Sequence, residues 1–279
     1  MANDANLTLM AVHAHPDDES SSTGGVLARY GDEGVTTVVV TCTNGEYGDG
    51  PEHVKPGEDG HDPDQVAKTR IGELQLACQH LGVTRLELLG YHDSGMADWP
   101  YKDEAHVFVG VPFEEPVGRL VALVERYRPD VMVTYDAVDG RGHPDHVQAH
   151  RIAVEAFHRT GIASKLYFIV RRRPDWDGLR ERLVAAGIEV PPSPRMIEPD
   201  ALQRMAEAEK RITTVVDTTS VAARKRDALA AHASQLDRSW WVRLPDDALA
   251  EVFANEAFIR SEDRTGAPLP EDDLFAGLR

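Results

Sequence analysis

Leu7-Thr8-Leu9-Met10-Ala11-Val12-His13-Ala14-His15-Pro16-Asp17-Asp18-Glu19 joins a short apolar run to a knot of imidazole and carboxylate side chains. The same grammar returns downstream, where the apolar stretch Asp130 to Tyr135 leads through Asp139-Gly140-Arg141-Gly142 into His143-Pro144-Asp145-His146. In each cluster the outer residues are three apart, a spacing that puts both on one side of a tight loop or first helical turn. His15, Asp18 and His146 can therefore converge on one cation, with His143 a fourth candidate for three places. Three N/O ligands leave a tetrahedral Zn²⁺ one open position, as catalytic zinc requires. The donor types are also compatible with Fe²⁺ or Mn²⁺.

Outward from the first cluster, Val26, Leu27 and Tyr30 recur at helical spacing, and Val35 to Thr43 is a β-branched run typical of a strand covered on both faces. Tyr47 to Asp64 is rich in Gly, Pro and acidic residues and reads as a long loop bordering a site. Val66 to Leu81 predicts a helix, Leu86 to Tyr91 a strand, Asp93 to Phe108 a second loop, Phe113 to Tyr127 a helix, Val147 to Thr160 a helix and Lys165 to Val170 a fifth strand. Strand alternating with helix predicts an α/β, Rossmann-like, mostly parallel sheet flanked by helices. Both clusters, Gly45-Glu46 and Asp93 directly follow strands, where ligands bind in such sheets. Residues 1–172 are expected to form this core and 173–279 a smaller C-terminal cap. The cap is read as helices near Asp177 to Ala186, Pro199 to Glu209 and Val221 to His232, a strand at Ile212 to Val216, and a poorly ordered tail from Ser261.

The formal charge is −17, with no basic stretch beyond Arg171-Arg172-Arg173 to attract a polyanion, which excludes nucleic acid and anionic membranes as electrostatic partners. Cys42 and Cys78 sit inside apolar runs and read as core residues, not a disulfide. The first residues are acidic with no apolar signal segment, and no window reaches the length of a membrane span, so the expected location is the cytoplasm. A homo-oligomer is compatible with the sequence. Trp240-Trp241 reads as packing.

Asp17 points away from Asp18 in any regular backbone and is free to accept a proton from the attacking water. His143, with Asp145 close by, is read as an imidazolium held by that carboxylate, able to stabilise an oxyanion or protonate a leaving amine. The alternatives are helix caps for the acidic residues, a non-catalytic zinc- or carbohydrate-binding module, and a nucleotide-binding Rossmann protein. No G-x-G-x-x-G follows the first strand, which speaks against the last. A non-catalytic module would have no need of Asp17.

Ala14-His15-Pro16-Asp17-Asp18-Glu19 and His143-Pro144-Asp145-His146 resemble the two signature motifs of the PIG-L/LmbE family of zinc-dependent N-deacetylases. The resemblance extends to Arg70 and Glu73, to Tyr91-His92-Asp93-Ser94-Gly95-Met96 and to Ala231-His232-Ala233-Ser234-Gln235. The last two stretches look most like the mycothiol branch, which contains a glucosaminyl-inositol deacetylase and an S-conjugate amidase. The resemblance implies His15, Asp18 and His146 as metal ligands, Asp17 as base and His143 as the group stabilising the tetrahedral intermediate. It also implies that Arg70 and Asp93 bind sugar hydroxyls. In that branch a Tyr commonly stands two residues before the second motif's first His. Here the place holds Arg141, which as a permanent cation would bind an oxyanion or an anionic substituent. The implied reaction is removal of the N-acetyl group from an N-acetylglucosamine-type conjugate, or cleavage of a larger acyl amide by the same chemistry.

Overall fold

The computed structural model describes residues 7–136, 143–170, 206–236 and 239–279, with positions 181, 183–185, 187 and 203 between them. In chain order it contains β1 (Thr8–His13), α1 (Asp18–Asp32), β2 (Thr36–Thr43), α2 (Pro63–Leu81), β3 (Arg85–Tyr91), α3 (Glu114–Tyr127), β4 (Val131–Tyr135), α4 (Pro144–Thr160) and β5 (Lys165–Val170). These are followed by β6 (Thr214–Asp217), α5 (Ala222–Ala231), α6 (Ala233–Leu236), α7 (Asp246–Val252) and β7 (Asn255–Asp263). The helices expected at 177–186 and 199–209 and the connector 191–194 lie wholly or largely outside the described residues.

The sheet has seven strands in the order β3-β2-β1-β4-β5-β7-β6. β1 to β5 run parallel, while β7 is antiparallel to both β5 and β6. The strand order explains the sequence patterns. Every residue of β1 and β4 is buried, because helices cover both faces, whereas the edge strand β3 alternates with exposed positions. Successive residues serve opposite cores: Leu9, Ala11, Val131 and Val133 pack with α1 and α2, while Met10, Val12 and Met132 pack with α3 and α4. This is the two-residue period of a pleated strand. Connections leave β1 toward β2 on one side and β4 toward β5 on the other. The switch point between β1 and β4 is thus the crevice where such sheets bind ligands.

Two expectations for the C-terminal region are corrected. β6 and β7 extend the same sheet instead of sitting on it as a cap, so a boundary at residue 172 divides one continuous layer. The tail after Ser261 is also built into the fold. Leu274 and Phe275 are fully buried, the Leu274 N–H donates to the Tyr30 hydroxyl at 2.8 Å, and the Tyr30 hydroxyl donates to Asp273 at 2.9 Å. Glu271 accepts from the buried Lys165 ammonium and from the Tyr167 hydroxyl. The charges that make this segment look solvated are partners for buried cations, and an isolated charge there would be far costlier than the pair.

Candidate metal centre and active site

The two clusters meet at the switch point. His15 follows β1, Asp18 opens α1, and His146 lies in the first turn of α4. Asp18 and Glu19 suit the positive end of α1, and Pro144 occupies the first turn of α4, where its missing N–H costs nothing. Asp18 Oδ2 lies 3.4 Å from His15 Nδ1 and 3.4 Å from His146 Nε2. Bonds of about 2.0–2.2 Å at tetrahedral angles place ligand atoms about 3.3–3.6 Å apart. The carboxylate oxygen is thus one tetrahedral edge from each imidazole, and the three residues form a buried group able to hold a cation.

Charge makes the same point. Burial opposes ionisation of Asp18, but the His146 and His15 imidazoles outweigh it and hold the carboxyl well below its ordinary range. Burial likewise opposes the His15 cation, yet Asp93, Asp145 and Asp18 together hold that ring well above its usual value. A proton on His15 offsets carboxylates that a divalent cation at the same point would offset directly.

His15 uses its other ring nitrogen on a second set of groups. Nε2 lies 3.2 Å from Asp145 Oδ2 and 3.7 Å from Asp93 Oδ1. Asp145 Oδ2 also accepts from Ser94 N at 3.0 Å, and Asp93 Oδ1 accepts from Gly95 N at 2.8 Å. A carboxylate on the far nitrogen fixes the tautomer and orientation of a ligating imidazole. The expected pairing of Asp145 with His143 is therefore corrected. The hydrogen bond described between the two runs from the Asp145 backbone N–H to His143 Nδ1, at 3.2 Å. Burial, then the neighbouring His15, pushes the His143 ring down to about 3. A neutral ring whose Nδ1 accepts carries its proton on Nε2. His143 is thus a neutral hydrogen-bond donor and not an imidazolium.

Asp17 occupies the N-cap position of α1 but makes no capping hydrogen bond, and its backbone sits at φ 120°, ψ −24°. For a residue with a Cβ this conformation costs of order 1–3 kcal/mol and persists only where the surroundings enforce it. Arg70 does part of this. Its guanidinium donates to Pro16 O at 2.7 Å, to Gly45 O at 2.9 Å and to Asp17 Oδ2 at 3.1 Å. Gly45, at φ 76°, leaves room for it: a Cβ there would stand 2.3 Å from the guanidinium. The contacts described for Arg70 are with Pro16, Gly45 and Asp17, in a residue that is 5 % exposed, so it positions the Asp17 loop. Burial raises the Asp17 carboxyl above its ordinary range, with Arg70 opposing. Arg141 lies outside the described residues.

Tyr135, at the end of β4, has no part in the motifs. Its hydroxyl donates to Asp18 Oδ2 at 2.7 Å and accepts from Ala14 N at 2.7 Å. Its ring stacks on His146 with centroids 4.2 Å apart. One side chain thus braces a candidate ligand from each cluster. A polar-tipped aromatic closing an otherwise apolar strand was the available signal. Tyr135→Phe is expected to fold normally and bind metal roughly 10–100-fold more weakly, measured by competition with a chromophoric chelator. Unchanged affinity would show the hydroxyl to be dispensable. Glu46 also belongs here: it accepts from Asp93 N at 2.8 Å and from the Asn44 amide at 2.9 Å, positioning the Asp93 loop.

Among the described residues no helix is long and apolar enough to cross a membrane. The fold resembles an N,N'-diacetylchitobiose deacetylase of Pyrococcus horikoshii, with TM-score 0.59 and 18% identity over 93% of this chain and 85% of that one. It equally resembles a 4-carboxy-2-hydroxymuconate hydratase of Pseudomonas putida, with TM-score 0.62 and 19% identity over 94% and 99%. Architecture alone therefore does not select the reaction. Sequence relatives are more specific. A 1D-myo-inositol 2-acetamido-2-deoxy-alpha-D-glucopyranoside deacetylase of Rhodococcus erythropolis is 36% identical over 97% of both chains. The PIG-L model, described as GlcNAc-PI de-N-acetylase, matches residues 10–157. With the His/Asp centre at its switch point and these relatives along almost its whole length, the chain belongs to the PIG-L family of de-N-acetylases.

Proposed function

We propose that the protein removes the acetyl group from a 2-acetamido-2-deoxy-glucopyranoside with a polyol aglycone, releasing acetate and the free amino sugar. The observation that carries the reading is the spacing of Asp18 from both imidazoles at 3.4 Å, with an uncapped carboxylate, Asp17, one residue away. The inositol-linked substrate named for the relative at 36% identity supports the choice of aglycone. Zinc is the metal we assign to His15, Asp18 and His146, from their mixed imidazole and carboxylate donors. When bound, such an ion would supply Lewis acidity, bringing the ionisation of water down to near neutral pH.

The remaining steps belong to the chain's own groups. Asp17 accepts the proton of the attacking water, and the raised carboxyl value brought by burial makes it a better base than an exposed Asp. His143 donates its Nε2–H to the oxygen that gains charge as the amide carbon becomes tetrahedral. Asp17, now protonated, passes the proton to the departing nitrogen, so no charge is left on the amine. Asp93 is placed beside His15, and we assign it to a sugar hydroxyl.

Metal-loaded protein assayed against a panel of N-acylated glucosaminides tests the reading through amine and acetate release. The acetylated inositol glucoside should be turned over and longer acyl amides much less. Cleavage of a large acyl amide with no release of acetate from any acetylated sugar would overturn the assignment in favour of an amidase.

A further inference from the structure

Glu19 and His232 are both fully buried, at 0 % exposure, and meet at 2.8 Å between Oε1 and Nε2. The other Glu19 oxygen accepts the backbone N–H of Asp17 at 3.0 Å. This is the same peptide whose φ of 120° aims the carboxylate away from the helix end. Three residues past His232's neighbour α5, at the α5–α6 corner, Ser234 donates through its backbone N–H and its hydroxyl to the two oxygens of Glu73, each at 2.7 Å. Glu73 lies one turn beyond Arg70 on α2, and Arg70 holds Asp17 from the opposite side. The contacts close a loop: Asp17 to Arg70, along α2 to Glu73, across to Ser234, back to His232, to Glu19 and to Asp17 again.

We propose that His232 and Glu19, anchored through Ser234 and Glu73, form a positioning buttress that keeps Asp17 in its unfavoured backbone conformation and hence its carboxylate in the attacking geometry. The proposal rests on the assignment of Asp17 as base. It gives the segment 231–235 a role in turnover although none of the contacts described for it reaches the metal ligands. His232 donates Nε2–H to Glu19 Oε1, the Ser20 hydroxyl donates to the same oxygen, and Glu19 Oε2 accepts the Asp17 N–H; without His232 the carboxylate keeps only the bond from its chain neighbour Ser20, and the oxygen that holds Asp17 is aimed less tightly. A misplacement of about 1 Å in a reacting group can cost roughly 10²-fold, so the effect should appear in kcat.

The experiment compares His232→Leu, His232→Gln and Ser234→Ala with wild type and with Asp17→Asn, using thermal melting, metal content and steady-state kinetics. His232→Leu should lower kcat about 100-fold with KM within about two-fold and metal content unchanged. His232→Gln keeps an N–H donor and should recover most of the loss, which a purely structural role would not predict. Ser234→Ala should fold even if His232→Leu does not, and should lower kcat by about 10-fold without moving KM. Wild-type kcat in folded His232→Leu, or in Ser234→Ala where His232→Leu does not fold, overturns the buttress. So does a His232→Gln protein as impaired as the Leu variant. An active Asp17→Asn would instead remove the base assignment itself, whereas an inactive Asp17→Asn beside unaffected His232 and Ser234 variants would remove only the buttress.

Discussion

Asp17→Asn is expected to yield a folded protein that keeps its metal and loses roughly 10²–10⁴-fold in kcat, the range general-base help contributes. The fold should tolerate the change because the Asp17 side chain caps nothing, so no helix-end hydrogen bond is lost. The amide retains an oxygen for the Arg70 N–H that now lies 3.1 Å from the carboxylate, which preserves the loop. It cannot accept a proton. The loss should therefore fall on kcat and kcat/KM together, the signature of an interaction made in the transition state only. Initial rates of amine release, read beside elemental analysis of the purified variant, decide the matter. A variant within a few-fold of wild type would move the base elsewhere.

His146→Ala should be more damaging still, because it takes away one of the three side chains we assign to the ion and with it the Lewis acidity that ion would supply. Two effects are expected. Metal affinity should fall, since two of the three side chains we assign to the ion remain, and the space vacated beside Tyr135, whose ring stacks on His146 at 4.2 Å, should loosen the hydroxyl that holds Asp18. Turnover should be close to background and should not return on adding equimolar metal, whereas wild-type protein stripped by a chelator should regain activity when metal is restored. Measured metal stoichiometry separates this from Asp17→Asn. A His146→Ala protein that holds one ion per chain at wild-type affinity would remove His146 from the ligand set.

The central parallel sheet was legible because its strands are buried on both faces, so β1, β2 and β4 read as unbroken apolar or β-branched runs. β7 was missed for the opposite reason. Asn255–Asp263 carries charges inside the sheet, Glu256 buried and Arg260, Glu262 and Asp263 partly buried, and its pairing depends on β5 and β6, far away in the chain. The N-terminal end of α2 extends to Pro63, three residues before the apolar stripe begins, because Asp62 caps it by accepting from Asp64 N and Gln65 N. Arg70 carried a readable signal: it falls in the buried stripe between Val66 and Leu74, where a permanent charge must have partners.

By itself the sequence determined the kinds of donor at the centre and their order along the chain. Short-range spacing places His15 with Asp18 and His143 with His146, since three-residue separations on a turn are a local property of the backbone. Which groups those side chains then address is a long-range matter that only the tertiary structure decided. Asp145 turns to His15 across 130 positions, Tyr135 reaches Asp18 across 117, and His232 reaches Glu19 across 213. Hydrogen bonds act over about 3 Å, so their partners are set by how the elements pack and not by how the residues are spaced.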